Sequence, residues 1–115
     1  MTKAGIQAVI IIGEPFLNTQ HRRIAELALS HHLASIAHSP EYPKAGGLMS
    51  YGSDIASMFR RAATYVDKIL KGAKPGDLPI EQHPTFEMVI NMKTAKALDL
   101  KIPDSILLQA TRVIE

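Results

Sequence analysis

The sequence predicts an α/β fold in which a parallel sheet is flanked by helices, and three observations predict it. A continuous run of apolar, mostly β-branched residues at 6–12 is typical of a strand buried on both faces, as in parallel sheets. A helical pattern and a second apolar run follow within about thirty residues, the length of a βαβ unit. Apolar residues then recur every three or four positions over 53–71, and this period indicates a long amphipathic helix.

The first half of the chain continues from that strand with a helix and a second strand. Asn18 or Thr19 is expected to cap the helix, which runs to about His32. Residues 33–37 form the second strand. The loop over 38–44 contains two prolines and is expected to resist regular structure.

Two adjacent glycines open the central part of the chain. Gly46-Gly47 releases the backbone from the usual steric limits, and the short strand that follows ends at Gly52. Ser53 is expected to cap the long helix, with Asp54 in its positively polarised first turn. Gly72 is a typical residue just beyond a helix end.

The second half predicts a connector, a strand and two helices. The connector over 73–84 carries three prolines, and the strand over 86–92 alternates so that one face is better covered. Asn91 is expected to cap a short helix. Pro103 suits the first position of a last helix that extends to about residue 114.

This map provides about four strands, and the first of them is apolar on both faces. A strand of that kind needs neighbours, because an exposed apolar edge promotes aggregation. Either strands pair between two copies of the chain, or another part of the sheet is missing. We therefore interpret the chain as part of a larger α/β protein.

Composition excludes several classes of protein. Hydrophobic residues make up 46% of the chain and charged residues 21%, which is typical of a soluble globular domain rather than a disordered one. The net charge is +2 without a basic block, so nucleic-acid binding is not indicated. No cysteine is present, which excludes disulfides and thiolate metal sites. The apolar run at 8–12 is too short for a signal peptide or a membrane span.

No residue set predicts catalysis, a cofactor or a metal. Ser50 lacks the Gly-x-Ser-x-Gly context of a nucleophile, and Gly46-Gly47 lacks the Gly-Lys-Ser/Thr of a phosphate loop. His31 and His32 are adjacent, so their side chains diverge by about 100° on a helix and do not share a metal-binding face. The chain is therefore not expected to be an enzyme.

A family resemblance covers nearly the whole chain and is most specific in its central block. The chain closely resembles the carboxyl-terminal part of the ABC-transporter substrate-binding proteins related to the tryptophan-binding lipoprotein. The segments that carry the resemblance are Arg22 to Ala28, Gly46 to Gly52, Phe59 to Pro75, Asp77 to Pro79, Phe86 to Asn91 and Thr94 to Leu98.

The resemblance implies a periplasmic-binding-protein type I fold that lacks most of its first lobe. In that fold two Rossmann-like lobes are joined by three crossing strands, and a solute is held between the lobes. The implied assignments are the second-lobe βαβ unit (1–45), a hinge strand (46–52), a long helix (53–72), a connector (73–84) and a terminal strand with helices (85–115). An ABC permease is the implied partner, and the implied location is periplasmic or extracytoplasmic, although the chain as given has no signal peptide.

The chain departs from the family pattern at three places. Gly13-Glu14-Pro15 stands where the family commonly has Pro-Asp-Pro after a strand. The segment Pro40 to Pro43 replaces the usual Arg-Glu-Phe-Val before the hinge. Asp99 stands where a glycine normally ends the penultimate helix, and we expect this aspartate to be strained in the left-handed region.

The hinge supplies the first candidate binding residues. By resemblance, Ser50 and Tyr51 could hold a ligand carboxylate or the edge of an aromatic ring. The alternative for Tyr51 is a purely structural packing role. Glu41 and Tyr42, just before the hinge, are weaker candidates.

The loop after the first strand supplies the others. Phe16 could stack on a ligand and Glu14 could pair with an amino group, with Asn18 beside them. The alternatives are that Phe16 belongs to the core and that Asn18 is a helix cap.

Two functions from different classes follow from these observations. The first is the non-covalent binding of a small molecule, such as an amino acid or an aromatic carboxylate, for an ABC importer. The second is a truncated fragment that binds no solute and associates with itself, for example as a domain-swapped dimer.

Overall fold

Five strands form one sheet in which the order of the strands is their order along the chain. The computed structural model describes residues 4–82 and 85–115, so two residues of the predicted connector, 83 and 84, lie outside the described residues. The strands are β1 (Ala8–Ile11), β2 (Ala34–Ala37), β3 (Met49–Ser53), β4 (Phe86–Asn91) and β5 (Arg112–Ile114). The helices are α1 (Pro15–Thr19), α2 (His21–Ser30), α3 (Glu41–Lys44), α4 (Ile55–Leu70), α5 (Met92–Ala97) and α6 (Asp104–Leu107).

The chain divides into two structural units. Unit 1 comprises the residues up to Gly52 together with Glu87–Glu115, and unit 2 comprises Ser53–Phe86. Unit 1 therefore contains most of the sheet, and unit 2 contains α4 and the connector. In unit 1, β1 pairs with β2, β2 with β3, and β4 with β5, all in parallel. The predicted α/β fold with a parallel sheet and flanking helices is confirmed.

The first strand is not covered on both faces, contrary to the prediction. Ile11 is 7% exposed, whereas Ile10 and Ile12 are each 76% exposed. The face of β1 that carries Ile11 is covered by Ala25 of α2 and by Tyr42. The apolar run correctly predicted a strand, but burial of its other face requires a partner that the described residues do not supply.

The helix after β1 is divided, and its predicted cap is wrong. Helix α1 begins at Pro15, and Asn18 lies inside it instead of capping the next helix. Glu14 is the N-cap, since its carboxylate accepts a hydrogen bond from the Leu17 amide at 3.1 Å. The chain then breaks at Gln20 before α2 begins.

The 38–44 loop and the start of α4 also differ from the predictions. The loop over 38–44 contains the one-turn helix α3, in which Pro43 is tolerated because the first amides of a helix need no intrahelical partner. Asp54, not Ser53, caps α4, and its carboxylate accepts from the Ser57 amide at 3.0 Å. Ser53 is instead the last residue of β3.

The long helix of unit 2 is confirmed. Lys71 is its C-cap, Gly72 adopts a φ of +104°, and Lys71 Nζ lies 2.9 Å from Asp67 Oδ2. No residue within Ile55–Leu70 is buried, and the most exposed apolar side chains are Phe59 at 73% and Leu70 at 81%. The predicted apolar stripe therefore exists but has no covering layer within the described part of the chain.

The end of the chain contains a strand that the sequence reading missed. The last helix, α6, stops at Leu107, with Pro103 as its N-cap instead of its first residue, and Arg112–Ile114 forms β5 beside β4. The predicted alternation of burial along β4 is wrong. Its last three residues, Val89 to Asn91, are all buried, so both faces are covered at this end of the strand. Asn91 does cap α5 as predicted, accepting from the Thr94 amide at 3.1 Å.

The core of unit 1 is built around Tyr42, which is fully buried. Its hydroxyl donates a hydrogen bond to Ser35 Oγ at 2.8 Å. Its ring lies directly against Gly47, where a Cβ atom would stand 2.1 Å from the ring. A residue without a side chain is therefore required at Gly47, because any side chain would overlap the ring.

Residues 42–47, here named the Tyr42 turn, also hold the ends of two strands. Asn91 Nδ2 donates to the Pro43 carbonyl at 2.9 Å, and Thr94 Oγ1 donates to the Gly46 carbonyl at 2.9 Å. The Asn91 amide donates to the carbonyl of Leu48, just before β3, at 2.8 Å. The chain leaves unit 1 along β3 and returns along β4, so the Tyr42 turn anchors both connecting segments.

Asp99 has the left-handed backbone that the sequence predicted, with a φ of +55°. We expect Asp99→Gly to stabilise the protein by about 1 kcal/mol, because glycine adopts this conformation without the Cβ penalty. Chemical denaturation measures the change. The control is Ala97→Gly, in the last turn of α5, which should be destabilising because glycine weakens a helix. Equal stability of Asp99→Gly and the unchanged protein would show that the aspartate is not strained.

Candidate functional site

The carboxyl ends of β1, β2 and β3 form one edge of the sheet in unit 1. The three strands are parallel, and Ile11, Ala37 and Ser50 lie in register across them, with β3 continuing beyond this level to Ser53. In open α/β sheets, ligands bind outside the carboxyl ends of the strands. The residues that follow these strands are therefore the candidate site.

The structure places five of the seven predicted binding residues in exposed positions at or near these strand ends. The other two, Ser50 and Tyr42, are buried, and Tyr42 is a core residue. Phe16 is 68% exposed and Tyr51 is 50% exposed, although both are large aromatic residues. Phe16 is thus not a core residue. The three exposed polar residues are Glu14, Asn18 and Glu41.

Two of the predicted carboxylates already have partners. One oxygen of Glu14 accepts from the Leu17 amide, which leaves the other oxygen for a ligand. Glu41 is paired with Lys44 at 2.6 Å, and a ligand ammonium would compete with this lysine. Glu14 is therefore the better placed of the two for an amino group.

Ser50 is at the predicted edge but is not exposed there. It is 1% exposed, and its Oγ atom has no hydrogen-bond partner among the described residues. The neighbouring Tyr51 is exposed because successive side chains of a strand point to opposite faces. Of the predicted hinge pair, only Tyr51 presents its side chain at the surface of unit 1.

His38 is a residue of this edge that sequence reasoning did not consider. It directly follows β2, and its imidazole lies against Gly13, where a Cβ would be 2.8 Å from the ring. Its carbonyl oxygen lies against Gly52, where an added Cβ atom would be 2.1 Å from that oxygen. The signal in the sequence was positional, because one glycine after β1 and another within β3 leave room for the histidine that follows β2, the strand between them.

A buried histidine lies behind this edge. His21, the first residue of α2, is 7% exposed and meets the Tyr42 ring edge-on at a centroid distance of 5.5 Å. Burial lowers the pKa of His21 below its usual value, and the nearby charge of His38 lowers it further, against an opposing effect of Glu41. Sequence reasoning missed His21 because helical periodicity alone did not show that the first residue of α2 faces the core.

Unit 2 contains a cavity of about 520 Å³ between α4 and the connector. Arg61 makes two hydrogen bonds to Glu81 across it, one of them at 2.6 Å, and the Tyr65 hydroxyl donates to the Pro79 carbonyl at 2.7 Å. The hydrogen bonds from Arg61 lower the pKa of Glu81 to about 2. Arg61 therefore links α4 to the connector through Glu81.

Neither a cluster of metal-ligating side chains nor a membrane-spanning helix is found among the described residues. Within 4–82 and 85–115, no group of three or more His, Cys, Asp or Glu side chains is arranged to hold a metal ion. Among the described helices, none is long and apolar enough to cross a membrane.

The family follows from a match over almost the whole chain. A sequence profile described as "ABC transporter substrate binding protein" matches residues 1–114. The chain therefore belongs to the family of ABC transporter substrate-binding proteins. No curated protein sequence is significantly similar to it.

Solved structures show the same fold over part of their length. An ABC domain from Streptococcus pneumonia in complex with L-Trp has a TM-score of 0.86 and 26% identity, covering 98% of this chain and 38% of its own. A conserved domain protein from Vibrio cholerae has a TM-score of 0.85 and 23% identity, covering 93% and 36%. A ligand-free, open substrate-binding protein with adhesive properties from Clostridium difficile has a TM-score of 0.67 and 17% identity, covering 93% of this chain and 36% of its own.

The chain spans 36–38% of the length of these solved structures. It therefore corresponds to part of a larger fold, as the exposed faces of β1 and α4 indicate.

Proposed function

We propose that this chain is the carboxyl-terminal portion of the solute-binding component of an ABC importer. It holds a small molecule, such as an amino acid or an aromatic carboxylate, at the carboxyl edge of β1–β3. The observation that carries the proposal is the exposure of two aromatic side chains, Phe16 and Tyr51, at that edge. Exposed aromatic rings supply stacking area for a planar ligand.

The polar residues of the edge have distinct roles in this proposal. The second oxygen of Glu14 pairs with a ligand ammonium, and the Asn18 amide contributes a further hydrogen bond. Ser50 supports the edge from within the core, and Glu41 contributes weakly because of Lys44. The L-Trp bound to the Streptococcus pneumonia domain supports a ligand that combines an aromatic ring with charged groups.

The wider context belongs to the same proposal. The partner is an ABC permease, the location is periplasmic or extracytoplasmic, and residues 46–52 act as a hinge strand. The chain performs no chemistry on its ligand, and the site requires no cofactor. Family membership supports these assignments.

The test is a thermal-shift titration with L-tryptophan, L-phenylalanine and indole-3-propionate at two protein concentrations. A ligand at about 100 times its Kd adds about 2.7 kcal/mol of stability. For a domain of this size that raises Tm by about 10 °C. Tyr51→Ala and Phe16→Ala should each reduce the rise, whereas Phe59→Ala, an equally exposed aromatic in α4, should not. An equal rise in all three variants would refute the proposed site.

The alternative function is self-association without solute binding. Exposed apolar residues on β1 and α4 favour it, including Ile10, Phe59 and Leu70. Under this alternative no ligand raises Tm, and Tm increases with protein concentration because association stabilises the folded chain. The same titration therefore separates the two functions.

A further inference from the structure

His21 contacts the Tyr42 turn, on which the two connecting segments of unit 1 depend. Its ring packs edge-on against Tyr42, and Tyr42 in turn packs on Gly47 and bonds to Ser35. The Gly47 amide donates to the Tyr42 carbonyl at 3.0 Å. A displacement of the Tyr42 ring would therefore displace Gly47, which lies just before β3.

The surroundings of His21 suit its neutral form and not its charged form. Its Nε2 atom is buried and has no hydrogen-bond partner in the described part of the chain. A proton added there would place a charge out of contact with water and without an acceptor, which is costly.

The charged groups near His21 do not compensate for that cost. His38 lies beyond β2, and its positive charge would oppose that of His21. Glu41 of α3 favours a charged His21, but it is the weakest of the three influences and is already paired with Lys44. Tyr42, also of α3, offers His21 its ring, while its hydroxyl donates to Ser35.

His38 and Ser50 add to the same polar region behind the edge. His38 Nδ1 and Ser50 Oγ are, like His21 Nε2, buried without a partner among the described residues. Ser50 pairs in register with Ala37, the residue before His38. Neither atom accepts a hydrogen bond from His21 among the described residues.

We propose that His21 makes the Tyr42 turn sensitive to pH, so that acidification charges this ring in a solvent-excluded position and loosens the hold on β3 and β4. The loosening is local to unit 1 and precedes global unfolding. It does not depend on a bound solute.

The direction of the effect follows from the pKa of His21. Because this pKa is lower in the folded chain than in the unfolded chain, the unfolded state binds more protons in acid. The stabilising contribution is complete above the unfolded pKa of about 6.5 and is lost as the pH falls through the folded value.

Amide hydrogen exchange between pH 7.5 and pH 5.0, corrected for intrinsic rates, tests the proposal. The reporters are the amides of Gly47 and Asn91, which donate to Tyr42 and Leu48. Their protection relative to α4 should fall at least about threefold on acidification, as local opening predicts. His21→Phe, which keeps an aromatic ring but cannot titrate, should abolish the fall.

Two further variants complete the experiment. His21→Gln also removes the titratable group, and it is used in place of His21→Phe if that variant does not fold. His31→Gln, an exposed histidine at the end of α2, is the matched control and should behave like the unchanged chain. A fall that persists in the His21 variants, or no fall in the unchanged chain, would overturn the proposal. Neither result would bear on solute binding at the edge.

Discussion

Replacing Gly47 by alanine is expected to destabilise the protein by about 3 kcal/mol, near the upper end for a small-to-large change in a packed core. The added Cβ would stand 2.1 Å from the Tyr42 ring. The ring has no space into which it can move, because it is fully buried and its hydroxyl is bonded to Ser35. Urea denaturation followed by far-UV circular dichroism measures the loss as a lower midpoint at constant slope.

Gly76→Ala is the matched control for this prediction. A Cβ at Gly76 would meet nothing within 4 Å, so alanine there should be neutral or slightly stabilising. If Gly47→Ala were as stable as Gly76→Ala, the close contact between Gly47 and Tyr42 would not exist in solution.

Asn91→Ala is expected to cost about 2–3 kcal/mol, because one side chain makes two buried hydrogen bonds. The substitution removes the cap of α5, in which Asn91 Oδ1 accepts from Thr94 at 3.1 Å. It also leaves the Pro43 carbonyl without the Nδ2 donor that lies 2.9 Å away. The free energy of unfolding measured in urea reports both losses together.

Asn91→Ser separates these two contributions. Serine is a good N-cap but cannot reach the Pro43 carbonyl as the longer amide does, so it should recover about 1 kcal/mol. Full recovery by serine would mean that the bond to Pro43 contributes nothing, and the role assigned to Asn91 in holding the Tyr42 turn would be wrong.

Sequence reasoning predicted several features that depend on nearby residues, although the N-caps of α1 and α4, Glu14 and Asp54, were not among them. The cap at Asn91, the end of α4 near Gly72 and the left-handed Asp99 each follow from local backbone chemistry, and the structure has all three. The Asp67–Lys71 ion pair is equally local.

Features that depend on distant residues were not predicted. Val113 and Ile114 were assigned to a helix because their spacing allows it, yet they lie in a strand that pairs with β4. Burial of His21 depends on Tyr42, which is distant in sequence, and no periodicity along α2 reports that contact. The exposure of Ile10 and Ile12 likewise depends on what covers the sheet and not on the strand itself.

The residues of the candidate site were likewise predictable only in part. The positions of Phe16, after β1, and of Tyr51, within β3, were predictable, because the order of elements decides which residues lie near the carboxyl edge. The burial of Ser50 and the presence of His38 were not, because strand alternation and two glycine contacts determine them. Binding by these residues stays a prediction.

The strictly sequential order of the sheet has a consequence for what the fold tolerates. Each strand neighbours the next one along the chain, and the hydrogen bond from the Asn91 amide to the Leu48 carbonyl joins the end of β4 to the residue before β3. Topologically, Ser53–Phe86 is a single long excursion from one sheet. Since the entropy of closing a loop grows with the logarithm of its length, halving or doubling this excursion changes the closure free energy by only about 0.6 kcal/mol. We therefore expect that a longer connector in unit 2 would add little to the free energy of closing this excursion.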